Sequence, residues 1–305
     1  MFDKETYGKI LVPMVTPFQD DQRVDYDAAV SIAEKLVGEN KADSLILSGT
    51  TGEFHTMTFQ ERVDLFKVIK EAVGDKIPVI AGVGAASTIE TIQLLKKAEE
   101  LGYALVMIVA PYYAKPNQAE LYTHFKMAAE ATSLQIMLYN IPIFTGVNID
   151  PDTVTRLAEI ENIVGIKEEA ELNPKQITAF VNATPEEFIV YCGDDTMIIE
   201  AFAQGGGKRV GGVVSGGSHL IGGYIRDMID TFLRGDVQQA ADMQQRILPL
   251  FRILGQNNRT NPVALLKEAM KMVGYNAGIP RLPLSPGTPE EIANVRTVME
   301  RLSIL

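Results

Sequence analysis

Eight short, nearly unbroken apolar runs, separated by segments of helical period, limit how this chain can fold more than any other feature. They lie at residues 10–16, 44–48, 77–83, 104–110, 135–139, 163–167, 188–193 and 210–215. A strand with one wet face alternates apolar and polar residues; runs without alternation mark strands covered on both faces, as in a parallel sheet flanked by helices. The segments between them carry helix start signals. Thr58 and Glu61 have capping-box spacing, as do Ser87 and Glu90. Asp150-Pro151 and Asn173-Pro174 each place an N-cap residue before a proline at the first helical position. Ala29, Ile32, Ala33, Leu36 and Val37 form one apolar stripe. Eight strand–helix units predict an α/β fold, a (β/α)8 TIM barrel, with a doubly wound open sheet as the competing arrangement. At 305 residues the chain is long for an average domain but ordinary for a barrel.

Helical pattern continues after the eighth run, over residues 218–234, 236–254, 262–273 and 289–305. One of these segments completes the eighth unit. The expected organisation is therefore a barrel over residues 1–234 and a C-terminal helical extension over 235–305. Such an extension either caps the barrel or builds oligomer contacts, and the sequence leaves both open.

Composition narrows the function. A hydrophobic fraction of 46% with 22% charged residues suits a large core. The net charge of −11 argues against nucleic acid or an anionic membrane as partner. A small anion can still be held by local cations and backbone N–H groups. The single cysteine, Cys192, excludes an internal disulfide, fits a reducing compartment and reads as a buried, inert thiol. Met1 to Lys9 lacks the apolar stretch of a signal peptide, and the run at 104–110 is much too short to span a bilayer. The expectation is a soluble cytoplasmic protein.

In barrel enzymes chemistry sits where strands end and βα loops begin. In Ile163-Val164-Gly165-Ile166-Lys167, alternation sends Lys167 and Gly165 to the barrel interior and the branched residues towards the helices. A partly desolvated lysine there can offer its amine to a carbonyl; alternatively it reaches solvent or pairs with Glu168. By the same alternation Tyr139 projects from the top of the adjacent strand. It is either a proton shuttle for the carbinolamine oxygen or an aromatic filling the barrel mouth. Ser48-Gly49-Thr50-Thr51-Gly52-Glu53 follows the second run. Thr50 is a candidate relay hydroxyl and Thr51 a candidate carboxylate binder, against the plainer reading of a simple turn. Gly82-Val83-Gly84 only half matches a dinucleotide fingerprint. Gly205 to Gly212 lacks phosphate-loop spacing and reads as a flexible loop before the eighth strand. His55, His124 and His219 show no metal-ligand spacing, so neither metal nor other cofactor is expected.

Taken in order, the motifs resemble those of the dihydrodipicolinate synthase and N-acetylneuraminate lyase family. They are Val15-Thr16-Pro17-Phe18, Gly49-Thr50-Thr51-Gly52-Glu53, Pro78 to Gly84, Pro111-Tyr112-Tyr113-Ala114-Lys115-Pro116, Leu138-Tyr139-Asn140-Ile141-Pro142, Gly165-Ile166-Lys167-Glu168 and Gly193-Asp194-Asp195. The Thr-Thr pair and the Pro-Tyr-Tyr segment are closer to the synthase branch. The resemblance implies a lyase in which Lys167 forms a Schiff base with pyruvate. Tyr139, Thr50 and Tyr113 would form a proton relay, Tyr113 acting in a neighbouring subunit's site. Thr51 and the backbone at Gly193 and Val214 would line the pyruvate pocket. It also implies a homotetramer built as a dimer of dimers. The implied reaction condenses pyruvate with aspartate semialdehyde, in lysine and diaminopimelate biosynthesis. Alternatives are a 2-keto-3-deoxy sugar acid aldolase or dehydratase and, in a different class, a catalytically silent ligand-binding barrel.

Two stretches depart from the family pattern. Phe144 stands where the synthases carry an arginine for the aldehyde's carboxylate, so a phenyl ring replaces a cation. Glu168-Glu169-Ala170-Glu171-Leu172 lacks the usual small Ser/Thr-Gly residues. If aspartate semialdehyde is nevertheless the substrate, Lys115 and Arg209 are the expected replacement cations, taken to lie near the active-site end. Phe59 and Arg62 stand where histidines of a lysine-feedback site would be expected.

Overall fold

The computed structural model describes residues 3–170 and 175–305. Each of the eight apolar runs coincides with a strand, β5 and β6 extending one residue past theirs: β1 (Ile10–Pro13), β2 (Ser44–Leu47), β3 (Val79–Gly82), β4 (Leu105–Val109), β5 (Gln135–Asn140), β6 (Ile163–Glu168), β7 (Ile189–Cys192) and β8 (Val210–Val214). They form a closed barrel in sequence order, which decides for the TIM barrel over the open sheet. Except for Gln135, every strand residue is buried, as two-sided coverage by helices demands.

The chain divides into two compact units, Met1–Lys9 with Val79–Val214, and Ile10–Pro78 with Ser215–Leu305. In the first, β3 to β8 pack against helices whose apolar faces supply Leu94, Phe125, Val154, Phe180 and Phe202, all at most 1% exposed. In the second, β1 pairs with β2, and Ile32, Leu36, Phe66, Ile69 and Met228 fill the interior. The helices Ser218–Leu233, Val237–Leu254, Val263–Met272 and Pro289–Arg301 realise the four helical segments read after the eighth run. No helix among the described residues is long and apolar enough to cross a membrane.

Local signals hold to different degrees. Thr58 and Glu61 close a reciprocal capping box, whereas Ser87 only accepts from the Glu90 N–H. Asp150 precedes a proline-started helix but makes no cap bond, because its carboxylate takes the Asn148 amide at 2.9 Å. The Asn173-Pro174 signal lies outside the described residues. Two expectations fail. Gly205–Arg209 is not a loop: it closes the helix Ile198–Arg209, with a break at Gly206 (φ 61°, ψ 177°), a region that favours glycine. Its neighbour Gly205 lies so close to Val210 and Val181 that a Cβ would come within 2.9 and 3.0 Å of their methyls. Arg209 is not at the active-site end. It precedes β8, and its guanidinium donates to the carbonyls of Val181, Thr184 and Phe188, clamping backbone before β7.

Gly165, in mid-β6, is fixed by close approach. A Cβ there would sit 2.5 Å from the Ile189 carbonyl oxygen of β7. Since that atom is backbone, relief requires parting two strands of a closed barrel. Gly165→Ala should therefore lower stability by about 1–3 kcal/mol, the usual cost of overpacking, read as a lower urea midpoint; an unchanged midpoint would show that β6 and β7 can separate freely here.

Candidate active site

Ladder register builds the centre of the site. Between β4 and β5 Val109 pairs with Tyr139, and between β5 and β6 Tyr139 pairs with Lys167. Both polar side chains thus leave the C-terminal ends of adjacent strands on the same face. Lys167 Nζ donates to the Tyr139 hydroxyl at 2.9 Å and lies 4.0 Å from the centre of the tyrosine ring. Lys167 is 5% and Tyr139 1% exposed. A third group completes the contact. Tyr139 Oη donates to Glu169 Oε2 at 2.8 Å, and the same oxygen is 2.7 Å from Lys167 Nζ. The lysine pairs with Glu169, not with Glu168.

Gly193, just past β7, closes on this cluster. Its N–H donates to the Glu168 carbonyl, and a Cβ at Gly193 would meet Glu169 Cβ at 2.7 Å and Lys167 Cε at 2.9 Å. The absence of a side chain at Gly193 is what lets the lysine stem and the glutamate lie side by side. Cys192, beside it on β7, is buried, and desolvation pushes its thiol well above the ordinary range.

Glu168 points into a different network. It accepts from Asn140 Nδ2 at 3.0 Å, the Ala170 N–H at 2.8 Å and Gln176 Nε2 at 3.1 Å. Asn140 also donates to Asn148 and accepts the Ile149 N–H, so the ends of β5 and β6 and the loop after β5 are tied by buried amides. Burial outweighs these donors and pushes the Glu168 carboxyl up from 4.5 to about 7.

Tyr113, at φ 71° on the loop after β4, is 93% exposed. Phe144 lies in the short helix Pro142–Thr145 and is 38% exposed. Lys115 is exposed at φ 50°, and its stem passes over Gly146, where a Cβ would meet Lys115 Cε at 3.0 Å. Lys115 is thus close to the helix bearing Phe144, whereas Arg209 is committed elsewhere. Val214 is the buried last residue of β8.

Thr50 and Thr51, in the second unit, occupy a tight turn after β2. Ser48 (φ 51°) and Glu53 (φ 56°) adopt left-handed backbone at its two ends, and the Glu53 N–H donates to the Thr50 carbonyl. Thr16 donates to the Gly52 carbonyl at 2.8 Å. Glu53 is fully buried and takes Lys267 Nζ at 2.5 Å and the Arg281 N–H at 2.8 Å. Lys267 also donates to the carbonyls of Thr16 and Ile279. Both threonines are half-buried on a turn clamped from below by an ion pair. Desolvation lowers the Lys267 ammonium to about 8 and raises the Glu53 carboxyl. Sequence reasoning missed Glu53, Lys267 and Glu169. Lys267 betrays itself weakly, as a lone cation in the apolar segment Leu265 to Met270; Glu169 gives no signal without the strand register.

Two of the three histidines, His124 and His219, are buried and hydrogen-bonded. His219 is fully buried, accepts the Val15 N–H on Nε2 at 3.2 Å and places Nδ1 2.8 Å from the Gly216 carbonyl. His124 pairs with the Thr88 hydroxyl, and burial lowers both imidazoles to about 4. Among the described residues no group of three or more His, Cys, Asp or Glu could hold a metal ion.

A parallel barrel whose strand ends bring a buried lysine, a tyrosine and a carboxylate into mutual contact has the make-up of a TIM-barrel enzyme, and its class is that of the lyases. The chain belongs to the dihydrodipicolinate synthetase family, whose model matches residues 6–302. It is 42% identical over 299 residues to the 4-hydroxy-tetrahydrodipicolinate synthase of Synechococcus sp., covering 98% of this chain and 95% of that one. The structure superposes on dihydrodipicolinate synthase from Bacillus anthracis with a TM-score of 0.91, at 39% identity and 98% and 99% coverage of the two chains. It matches the Acinetobacter baumannii synthase complexed with pyruvate at 0.89, with 34% identity and 98% and 100% coverage.

The raised Glu168 carboxyl makes stability depend on pH. Between 4.5 and about 7 the folded chain retains a proton that the unfolded chain has released. This contribution is therefore fully present below 4.5 and is lost as pH rises through about 7. Going from about pH 5 to about pH 8 should cost the wild type about 2–3 kcal/mol more than Glu168→Gln. Urea unfolding of both proteins across that range checks this; parallel pH slopes would contradict it.

Proposed function

We propose that this chain condenses pyruvate with an aldehyde through a Schiff base on Lys167, as a 4-hydroxy-tetrahydrodipicolinate synthase with aspartate semialdehyde as the acceptor. The observation that carries the reading is the 2.9 Å contact between Lys167 Nζ and the Tyr139 hydroxyl at the ends of paired barrel strands, in a chain so similar to named synthases. The neutral amine of Lys167 attacks C2 of pyruvate. The Tyr139 hydroxyl, in contact with the amine, is placed to pass a proton to the carbinolamine oxygen so that water departs. Loss of a C3 proton then gives an enamine, which adds to the aldehyde. The covalent carrier is the lysine itself, so this route needs no metal or organic cofactor.

In this reading Thr50 completes the relay and Thr51, with the backbone of Gly193 and Val214, holds the keto acid. Tyr113, too exposed to join the buried pair within its own chain, serves a neighbouring subunit in a homotetramer built as a dimer of dimers. The proposed setting of this activity is the cytoplasm.

One observation favours a second reading, a different aldehyde. Phe144 offers no donor, and an arginine–carboxylate hydrogen bond is worth about 1.5–3 kcal/mol. Its loss weakens selection of an anionic aldehyde by roughly one to two powers of ten, unless Lys115, next to the Phe144 helix, replaces it. An uncharged or hydroxylated aldehyde, as in a 2-keto-3-deoxy sugar acid aldolase, is the alternative acceptor.

Steady-state turnover with pyruvate and a panel of aldehydes tests both readings. Turnover with aspartate semialdehyde at efficiency normal for an enzyme, abolished by Lys115→Ala, supports the synthase. Preference for a neutral aldehyde, reversed by Phe144→Arg, supports the second reading. Tyr139→Phe should lower turnover roughly 10²–10⁴-fold in either case; an unaffected variant would reduce Tyr139 to a packing role. Mixing matters too. Lys167→Ala and Tyr113→Phe should each be nearly inactive alone, yet regain part of the activity when coexpressed; mixed oligomers that stay inactive would show that Tyr113 does not act across subunits.

A further inference from the structure

Lys167 can attack a carbonyl only after losing a proton, and what receives that proton is the question the trio raises. An ammonium has no lone pair; the nucleophile is the free amine. Among the described residues, two oxygens touch Nζ, the Tyr139 hydroxyl at 2.9 Å and Glu169 Oε2 at 2.7 Å. They are not equivalent. The phenol spends its hydrogen on Glu169 Oε2, at 2.8 Å, so its oxygen faces the ammonium as an acceptor while the proton path continues to the carboxylate. Of the two, the carboxylate of the ion pair is an acceptor only and can take the proton outright, whereas the phenol, which already carries one, can only relay it.

The glutamate is held in this position. Its N–H donates to the Asn140 carbonyl of β5 at 3.0 Å, continuing the β5–β6 pairing one residue beyond the strand. Its Cβ packs where Gly193 lacks a side chain. At 19% exposure the carboxylate still has an opening to solvent, unlike Lys167 beside it. Besides Lys167 and Tyr139, its charge raises the carboxyl of Glu168 on β6 and the thiol of Cys192 on β7, among the described residues.

We infer that Glu169 is a catalytic acid–base of this chain, taking the Lys167 ammonium proton before attack and returning it to the departing hydroxyl. The inference deepens the proposed function and rests on Lys167 being the attacking amine. In the first step one N–H bond of the ammonium breaks and an O–H bond forms on Glu169, directly or through the Tyr139 hydroxyl. The amine pair then forms the N–C2 bond, and the carbonyl π pair moves onto oxygen. Proton transfer from nitrogen to that oxygen gives the neutral carbinolamine. Glu169 gives its proton, through Tyr139, to the carbinolamine hydroxyl; the C–O bond breaks and water leaves. The nitrogen pair closes the protonated C=N bond. The sum is ammonium plus ketone to iminium plus water, with Glu169 restored as carboxylate. No oxidant or metal enters.

The test is the single-turnover rate at which borohydride-trappable pyruvate adduct forms, measured across pH in wild type, Glu169→Gln and Glu169→Asp. The amide keeps the shape and cannot accept the proton, so near pH ~7 the rate should fall by roughly 10²-fold or more. The deficit should shrink as pH rises, because hydroxide takes over removal of the ammonium proton; a residue that only supports structure would leave the deficit constant. Glu169→Asp should recover part of the rate. An adduct that forms in wild type and equally fast in Glu169→Gln at every pH overturns the inference alone, as does a deficit independent of pH. No adduct in wild type overturns the reading of Lys167, and the inference with it.

Discussion

The pairing of β5 with β6 is the constraint on which the rest of the site depends. Because side chains alternate along a strand, a slip of one residue would turn Tyr139 or Lys167 to the helical face and bury a cation among branched side chains. The observed register, Tyr139 opposite Lys167 and Asn140 opposite Glu168, sets one pair into the site and the other into the amide network that fastens the loop after β5. The pairing continues through the Glu169 N–H to the Asn140 carbonyl, which is how the third member of the trio joins the first two. Glycines at 165 and 193 let β7 approach closely enough to brace this end of β6. Adjacent glutamates then diverge: Glu168 is buried and pushed towards protonation, while Glu169 pairs with the lysine.

In the second unit a buried ion pair does comparable work for the threonine turn. Removing Lys267 and Glu53 from water is expensive, and a single remaining partner would be left as an uncompensated charge. The cost is offset by carbonyls around the ammonium, from Thr16 and Ile279, and by the Arg281 N–H on the carboxylate. The same residues connect the turn after β2 to the C-terminal helices, since Lys267 lies in Val263–Met272. The helices beyond the eighth strand therefore fix the turn that presents Thr50 and Thr51, a role that helical pattern alone does not reveal.

Much of the fold was legible because burial on two faces writes itself into sequence as unbroken apolar runs, and all eight runs coincide with strands. Helix starts were legible where the cap is local, as at Thr58, and less so where a neighbour competes, as Asn148 does for Asp150. Glycine-rich composition misled at 205–209, since tight packing against Val181 and Val210 favours small residues as much as flexibility does. Arg209 was misplaced with it, because a guanidinium bonded to three backbone carbonyls looks in sequence like any free cation. In the site, Lys167 and Tyr139 could be found by strand alternation. Glu169 was missed although it lies two residues after Lys167 on the same face, because the apolar run that marks the strand in the sequence ends at Lys167 while the pairing continues past it. Family resemblance marked the stretch after Lys167 as unusual without showing what stood there.

The proposed chemistry turns on one amine. Reduction with borohydride in the presence of pyruvate, followed by peptide mass mapping, locates the carbon–nitrogen bond directly. The structure predicts a single adduct on the peptide containing Lys167, and none on Lys267, whose buried ammonium is already bound by Glu53 and two carbonyls. An adduct on another lysine, or no adduct under saturating pyruvate, would contradict it.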